Sequence, residues 1–349
     1  MTPRTGFLLL LGFLLALGGC AGPSSLVYED PGNKIVWPEL PEKPRYQYVG
    51  QLTGEENIIS TGAGFWSKVY EFVTGLAGSG EEKVVLQRPQ TGVVDEERGR
   101  IYVTDVSRQA VFVFDQAEGT LEVWDQVAKN QGFQAPIGIA LGSSGEVLVV
   151  DAQAAQVMRL SPAGRLLQAF GHETMVRPTG IARDPLRRHI YVSDTHAHNI
   201  KVFDDSGRYL ESFGERGQEK GQLNFPTHLA FRDDKLYVTD TMNARIQVFS
   251  GDGKFLYTFG RRGLYVGNMP RPKGIALDSD NNIYVIESYY DHLLIYNNKG
   301  DFLLPIGGTG TDIGQFYLPS GVWTDSKNRI YIADMFNGRI LILQYLGNS

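Results

Sequence analysis

One phrase recurs six times along this chain with a period of about 46 residues, and a repeat of that length narrows the fold to a solenoid or a propeller. Two clear copies read RPTGIARDPLRRHIYVSDTHAHNIKVFDDSGRYLESFG over 177–214 and FPTHLAFRDDKLYVTDTMNARIQVFSGDGKFLYTFG over 225–260. The copies open on Pro89, Pro136, Pro178, Pro226, Pro272 and Pro319. Their second runs close on Asp105, Asp151, Asp194, Asp240, Glu287 and Asp334. Each copy holds four runs of β-type residues divided by turn signals, as at 274–277, 283–286, 293–296 and 302–306 of the fifth. Forty-one glycines, 18 phenylalanines and 17 tyrosines suit many short strands joined by tight turns.

A solenoid needs capping repeats, whereas here the last copy stops after three runs, at 339–345. The missing fourth run stands at the other end. Arg45-Tyr46-Gln47-Tyr48-Val49-Gly50 aligns with the outer phrase of the third copy, 208–214, so the amino end is expected to complete the final blade. Closing a ring in this way leaves no exposed strand edge. The expected fold is therefore all-β: a six-bladed propeller over 45–349, closed by a strand at 45–52, with its repeats at 86–346. Between the closing strand and the first repeat, Phe65, Trp66, Val69, Phe72, Val73 and Leu76 fall at helical spacing, which predicts a short helical insertion in 54–83 that packs on the propeller. The phrases GIA, IYVxD, RIQVF and FLxxFG resemble the NHL repeat over residues 86–346.

The first residues read as an address. Arg4 precedes an apolar stretch from Gly6 to Leu17 that ends in small residues at Cys20, which is the pattern of a secretory leader over 1–19. Leu17-Gly18-Gly19-Cys20 resembles the bacterial lipobox. That resemblance implies cleavage before Cys20 and lipidation of its sulfur, so that acyl chains anchor the protein to a membrane. Ala21 in the following position, rather than Asp, implies sorting to the outer membrane of a bacterial cell envelope. Pro23, Pro31, Pro38, Pro41 and Pro44 predict a stiff spacer over 20–44. Cys20 is the single cysteine, so no internal disulfide exists.

Function classes narrow by charge. With 33 basic and 39 acidic residues the chain carries −6, and no basic run exceeds a pair such as Arg187-Arg188, so a nucleic-acid partner is not expected. In a propeller, the residues after each opening proline and after each closing acid surround one mouth of the central channel. His196, His198, His228, Lys273, Tyr289, Tyr290, His292, Met335 and Phe336 belong to those sets. Exposed aromatic and thioether side chains predict a face that docks a protein or peptide partner rather than a small anion. The six repeated acids read as structural parts, their carboxylates accepting backbone N–H groups or pairing with Arg245 and Arg339.

The alternative is a metal-dependent lyase or hydrolase acting on a small extracytoplasmic substrate. His196, His198 and His228 are the residues that could hold Zn²⁺ or another divalent ion, although no cofactor is otherwise called for. Similar propellers include peptide-amidating lyases and lactone hydrolases, but the lyases are expected to present inner-strand histidines from three blades. Here only the fourth copy does, with His228 where most of the others carry glycine. The chain has no GxSxG elbow and no phosphate-cradling loop, so the noncatalytic binding reading leads.

Overall fold

The computed structural model describes residues 24–60 and 83–347. Each of the first five copies of the repeat becomes one four-stranded antiparallel blade with its strands in sequence order. The first runs Pro89–Asp95, Arg100–Asp105, Ala110–Asp115 and Thr120–Trp124. The fourth runs Pro226–Arg232, Lys235–Asp240, Arg245–Ser250 and Phe255–Phe259. The six sheets make the all-β six-bladed propeller that the repeat predicts.

The β-type triplet in the middle of each second strand explains why the blades stack. Side chains alternate across a strand. In Ile190-Tyr191-Val192 the tyrosine therefore enters one inter-blade layer and its neighbours enter the other, all of them fully buried. Tyr102, Tyr284 and Tyr331 repeat this placement, and Leu148 takes it in the second blade. Where the phenol is buried it usually finds a partner: the Tyr191 hydroxyl donates to the Gly251 carbonyl 2.6 Å away in the next blade, and that of Tyr284 to Asp278 at 2.6 Å.

The sixth blade is assembled from both ends of the chain. Val322–Thr324, Arg329–Asp334 and Arg339–Tyr345 are joined by the amino-terminal strand Tyr46–Leu52. Tyr345 pairs with Tyr46, Leu343 with Tyr48 and Ile340 with Leu52, and the register shifts between Ile342 and Leu343. The same shift occurs at Val202/Phe203, Val248/Phe249 and Ile295/Tyr296, the equivalent steps of blades three to five. The amino end thus copies an outer strand down to its bulge. Across the seam, Ser320 Oγ donates to the carbonyls of Pro89 at 2.9 Å and Gln90 at 2.8 Å, tying the last blade to the first.

The spacer expected over 20–44 is corrected for its described part. Residues 24–44 are a strap on the ring rather than a free tether. Ser24–Leu26 pairs with Ile58–Ser60, and Val36–Trp37 adds a fifth strand outside Tyr46–Leu52. The Asp30 amide donates to the Val49 carbonyl at 2.8 Å, and that of Gln51 to the Tyr28 carbonyl at 3.1 Å. Proline removes a donor and blocks helix, yet it leaves intervening residues free to pair at a sheet edge, as here. Gly50 is required by this contact, since a β-carbon would stand 1.7 Å from the Tyr28 carbonyl oxygen.

Of the helical insertion expected in 54–83, the described beginning is a short 3-10 turn, Glu55–Asn57, followed by the strand Ile58–Ser60. Asn57 holds this corner together. Its side-chain oxygen accepts the Thr53 amide at 2.7 Å, and its nitrogen donates to the carbonyls of Gln51 at 2.9 Å and Val27 at 3.0 Å. Phe65, Trp66, Val69, Phe72, Val73 and Leu76 lie outside the described residues, as do the leader and Cys20.

Candidate functional site

Strand register places both expected residue sets at one end of the channel. Pro89 pairs with Asp105, Pro136 with Asp151, Pro178 with Asp194, Pro226 with Asp240 and Pro272 with Glu287. The start of an inner strand and the end of its neighbour therefore share one rim.

The repeated acids hold that rim in shape. Asp105 accepts the amides of Gln87 at 2.6 Å, Arg88 at 2.9 Å, and Ser107 and Arg108 at 3.0 Å, so one carboxylate ties the entering loop to the following turn. Asp151 repeats the arrangement on Gln134, Ala135, Gln153 and Ala154. Asp240 and Asp334 add ion pairs at 2.8 Å to Arg245 and Arg339. All six acids are buried. With their oxygens filled by local donors, they are parts of the frame and not a catalytic ring.

Around this rim the expected site residues separate into groups. Tyr289 is exposed and meets Tyr290 edge to face at 4.8 Å, and His292 lines the cleft beside them. Burial pushes the His292 imidazole below its ordinary range. On the neighbouring sixth blade, Phe336 is exposed, packs on Tyr317 at 5.4 Å and lies under the Arg88 guanidinium at 5.0 Å. Met335 is half-buried, its sulfur accepting from Gln90 Nε2 at 3.2 Å. Lys273, on the inner strand of the fifth blade, is half-buried, and burial reinforced by Arg271 lowers its affinity for a proton.

The three histidines considered for a metal do not form a ligand set. His196 and His198 flank the Phe225 ring, at 5.7 and 4.5 Å between centroids. His198 Nδ1 accepts the Phe225 amide at 3.2 Å, and burial, with Arg216 nearby, holds its proton affinity down. His228 instead sits on the inner strand and faces the channel. Among the described residues no three His, Cys, Asp or Glu side chains are grouped as metal ligands would be. His228 belongs to the residues expected on the docking face. Neither ring nitrogen has a hydrogen-bond partner, and burial pushes its pKa down to about 3, with Lys273 adding to the effect.

A patch that the expected positions omitted dominates the rim. Leu264, Tyr265 and Val266 are 83%, 82% and 60% exposed, more than Tyr289 at 59% or Phe336 at 43%. They stand on the loop from the fourth blade to the fifth and adjoin Tyr289, Tyr290 and Met242 along two clefts of about 250 and 400 Å³. Aligning the linkers themselves exposes the signal: GERGQEKG over 214–221, GRRGLYVG over 260–267 and GGTGTDIG over 307–314. The middle linker alone fills the variable triplet with three large apolar residues between glycines. From Gly260 to Lys273 the chain also carries Arg261, Arg262, Arg271 and Lys273 and no acid.

Comparison with known proteins agrees on architecture. A family described as a 6-bladed beta-propeller matches residues 218–288. The Drosophila melanogaster protein brain tumor is 40% identical over 53 residues, which is 15% of this chain and only 5% of that protein. An auxiliary nutrient binding protein from Bacteroides thetaiotaomicron superposes with a TM-score of 0.59 at 12% identity, covering 75% of this chain and 70% of its own. One from Bacteroides ovatus gives 0.58 at 14%, covering 74% and 69%. Virginiamycin B lyase from Staphylococcus aureus gives 0.54 at 16%, covering 74% and 95%. At such identities the likeness shows the fold alone, shared by binding proteins and enzymes.

Proposed function

We propose that this chain is a lipid-tethered NHL-type propeller of the bacterial cell envelope, whose proline-end face binds a protein or peptide segment rich in apolar and acidic side chains. The observation that carries this reading is the exposed Leu264-Tyr265-Val266 triplet beside Tyr289 and Met242. Large apolar side chains gathered on a surface lose contact with water when a partner covers them, at roughly 25 cal/mol per Å². The surrounding Arg261, Arg262, Arg271 and Lys273 oppose the net charge of the chain and favour an acidic partner. The description of two structurally similar proteins as nutrient binding accords with a binding role.

Leu264→Ser combined with Tyr265→Ser is expected to leave the ring folded, because both side chains face water, and to cut cross-linked recovery of an envelope partner about tenfold or more. Tyr289→Ala with Tyr290→Ala and Phe336→Ala should act in the same direction. Equal recovery by wild type and both variants at low salt would remove the face from consideration.

Lipidation at Cys20 rests on the lipobox resemblance, and outer-membrane placement on Ala21. If Cys20 is acylated, only Ala21–Pro23 separate it from Ser24, which pairs with Ser60 and donates through its hydroxyl to the Glu118 carbonyl of the first blade at 3.2 Å. The four Cα steps from Cys20 to Ser24 span at most about 14 Å, so the bilayer would lie close to the outer edge of the first blade. Cys20→Ala is expected to move the protein from the detergent phase to the aqueous phase. A variant that partitions like wild type would exclude the anchor.

A further inference from the structure

The larger cleft of the docking rim combines two chemistries in one lining. It measures about 400 Å³ and lies where the linker from the fourth blade meets the fifth. Met242, Leu264, Tyr289 and Tyr290 give it apolar walls, Arg262 and Arg271 line it as well, and no carboxylate does. That volume is at the small end of the range of ligand clefts, roughly 300–1,000 Å³, so it admits a few side chains at a time.

The linker that builds the cleft is held in place although its tip is exposed. Arg261 Nε donates to Asn268 Oδ1 at 3.1 Å, the Asn268 amide to the Tyr265 carbonyl at 3.0 Å, and the Met269 amide to the Arg261 carbonyl at 3.0 Å. The Tyr296 hydroxyl donates to the Gly267 carbonyl at 2.9 Å, and Met269 is fully buried. A surface fixed before binding loses less conformational freedom when a partner arrives.

Both arginines are mounted with donors to spare. Arg262 Nη2 donates to the Met242 carbonyl at 3.0 Å, which stretches its side chain from the linker to the turn of the fourth blade. Arg271 is pinned through its main chain instead. Its amide donates to Glu287 Oε1 at 3.0 Å, and its carbonyl accepts the Ser288 amide and hydroxyl, each at 3.1 Å. Its exposed guanidinium makes no hydrogen bond or ion pair with a described residue. One exposed arginine is ordinary, but two on an acid-free cleft walled by aromatic and aliphatic side chains make a receptor for an anion that carries an apolar group.

We infer that this cleft captures the carboxyl terminus of a polypeptide ending in an apolar residue, an inference that rests on the reading of the rim as a docking face. The last residue of a chain bears a carboxylate and a side chain on one Cα, so a single residue meets both parts of the lining. An internal aspartate or glutamate brings the charge alone and leaves the apolar walls to a second residue. The guanidinium fork suits a carboxylate through paired N–H groups.

The test uses the full chain in detergent and hexapeptides tethered by their amino ends, with Leu, Ile, Phe, Tyr or Trp as the last residue. Each is made as the free acid and as the carboxamide, and a carboxamide peptide with an internal Glu-Phe pair serves as the control. At least one free acid is expected to bind, and its carboxamide to bind at least about tenfold more weakly, with the control resembling the carboxamide. Arg271→Gln and Arg262→Gln, at matched melting temperature, should each weaken the free acid several-fold and leave the carboxamide unchanged. No binding by any free acid, equal binding of acid and amide, preference for the internal Glu-Phe peptide, or unchanged affinity in both variants would overturn the inference. Those results leave the docking face standing if partner recovery still falls in the Leu264→Ser, Tyr265→Ser double variant; loss of that dependence would sink the face itself.

Discussion

Removing residues 24–52 is expected to abolish cooperative folding of the whole propeller, not merely to loosen its amino end. The deletion takes away Tyr46, Tyr48 and Leu52, which are 2%, 3% and 0% exposed, and each contributes about 1.5–3 kcal/mol of burial. It also strips the strand that covers Arg339–Tyr345, leaving an unpaired edge whose side chains Ile340, Leu341, Ile342 and Leu343 are fully buried in the intact ring. Together these losses reach the roughly 5–15 kcal/mol that separates a folded domain from its unfolded chain. Circular dichroism and gel filtration should show aggregation or a non-cooperative melt. A milder variant, Tyr46→Ala, should cost about 3–5 kcal/mol while keeping the fold. A truncated chain melting cooperatively within a few degrees of wild type would contradict the closure.

The second large effect is on acid stability. The His228 imidazole is held neutral, chiefly by burial and secondarily by Lys273, with its pKa pushed down to about 3 from an ordinary 6.5. A base whose folded pKa is depressed gives full stability above its unfolded pKa. Between pH 6.5 and 3 the unfolded chain binds the proton that the folded one refuses, so stability falls as pH falls through that window. By pH 4.5 the loss assignable to this residue is about 3 kcal/mol, taking 1.36 kcal/mol per pH unit over two units. His228→Gly is expected to flatten the limb between pH 6.5 and 4.5, above the range where most carboxylates titrate. Denaturant unfolding at several pH values reads this directly, and parallel pH dependences for the variant and wild type would refute it.

How far the rim was legible depended on whether a residue obeyed the repeat. Tyr289, Tyr290, Met335 and Phe336 occupy positions that recur after each closing acid, so counting from the acids located them on the correct end of the channel. Leu264, Tyr265 and Val266 lie in a linker, where the copies diverge, and their importance emerges only when the linkers are compared with one another. His228 was visible as an intruder among glycines. Its isolation from His196 and His198 was not, because a turn residue of the third blade and an inner-strand residue of the fourth point into different spaces.

The sequence by itself determined the number of blades, the four-strand grammar of each and the origin of the closing strand. All of these depend on local alternation, turn residues and self-similarity, which are written in contiguous stretches of chain. Only the tertiary structure decided that the proline-rich segment straps the ring, that Tyr265 and Tyr289 share one patch, and that the His228 ring nitrogens find no partner. Each of those facts is a meeting between residues on different elements. The sterics and hydrogen-bond supply of such a meeting are set by the neighbouring surface, and no pattern within either segment encodes it.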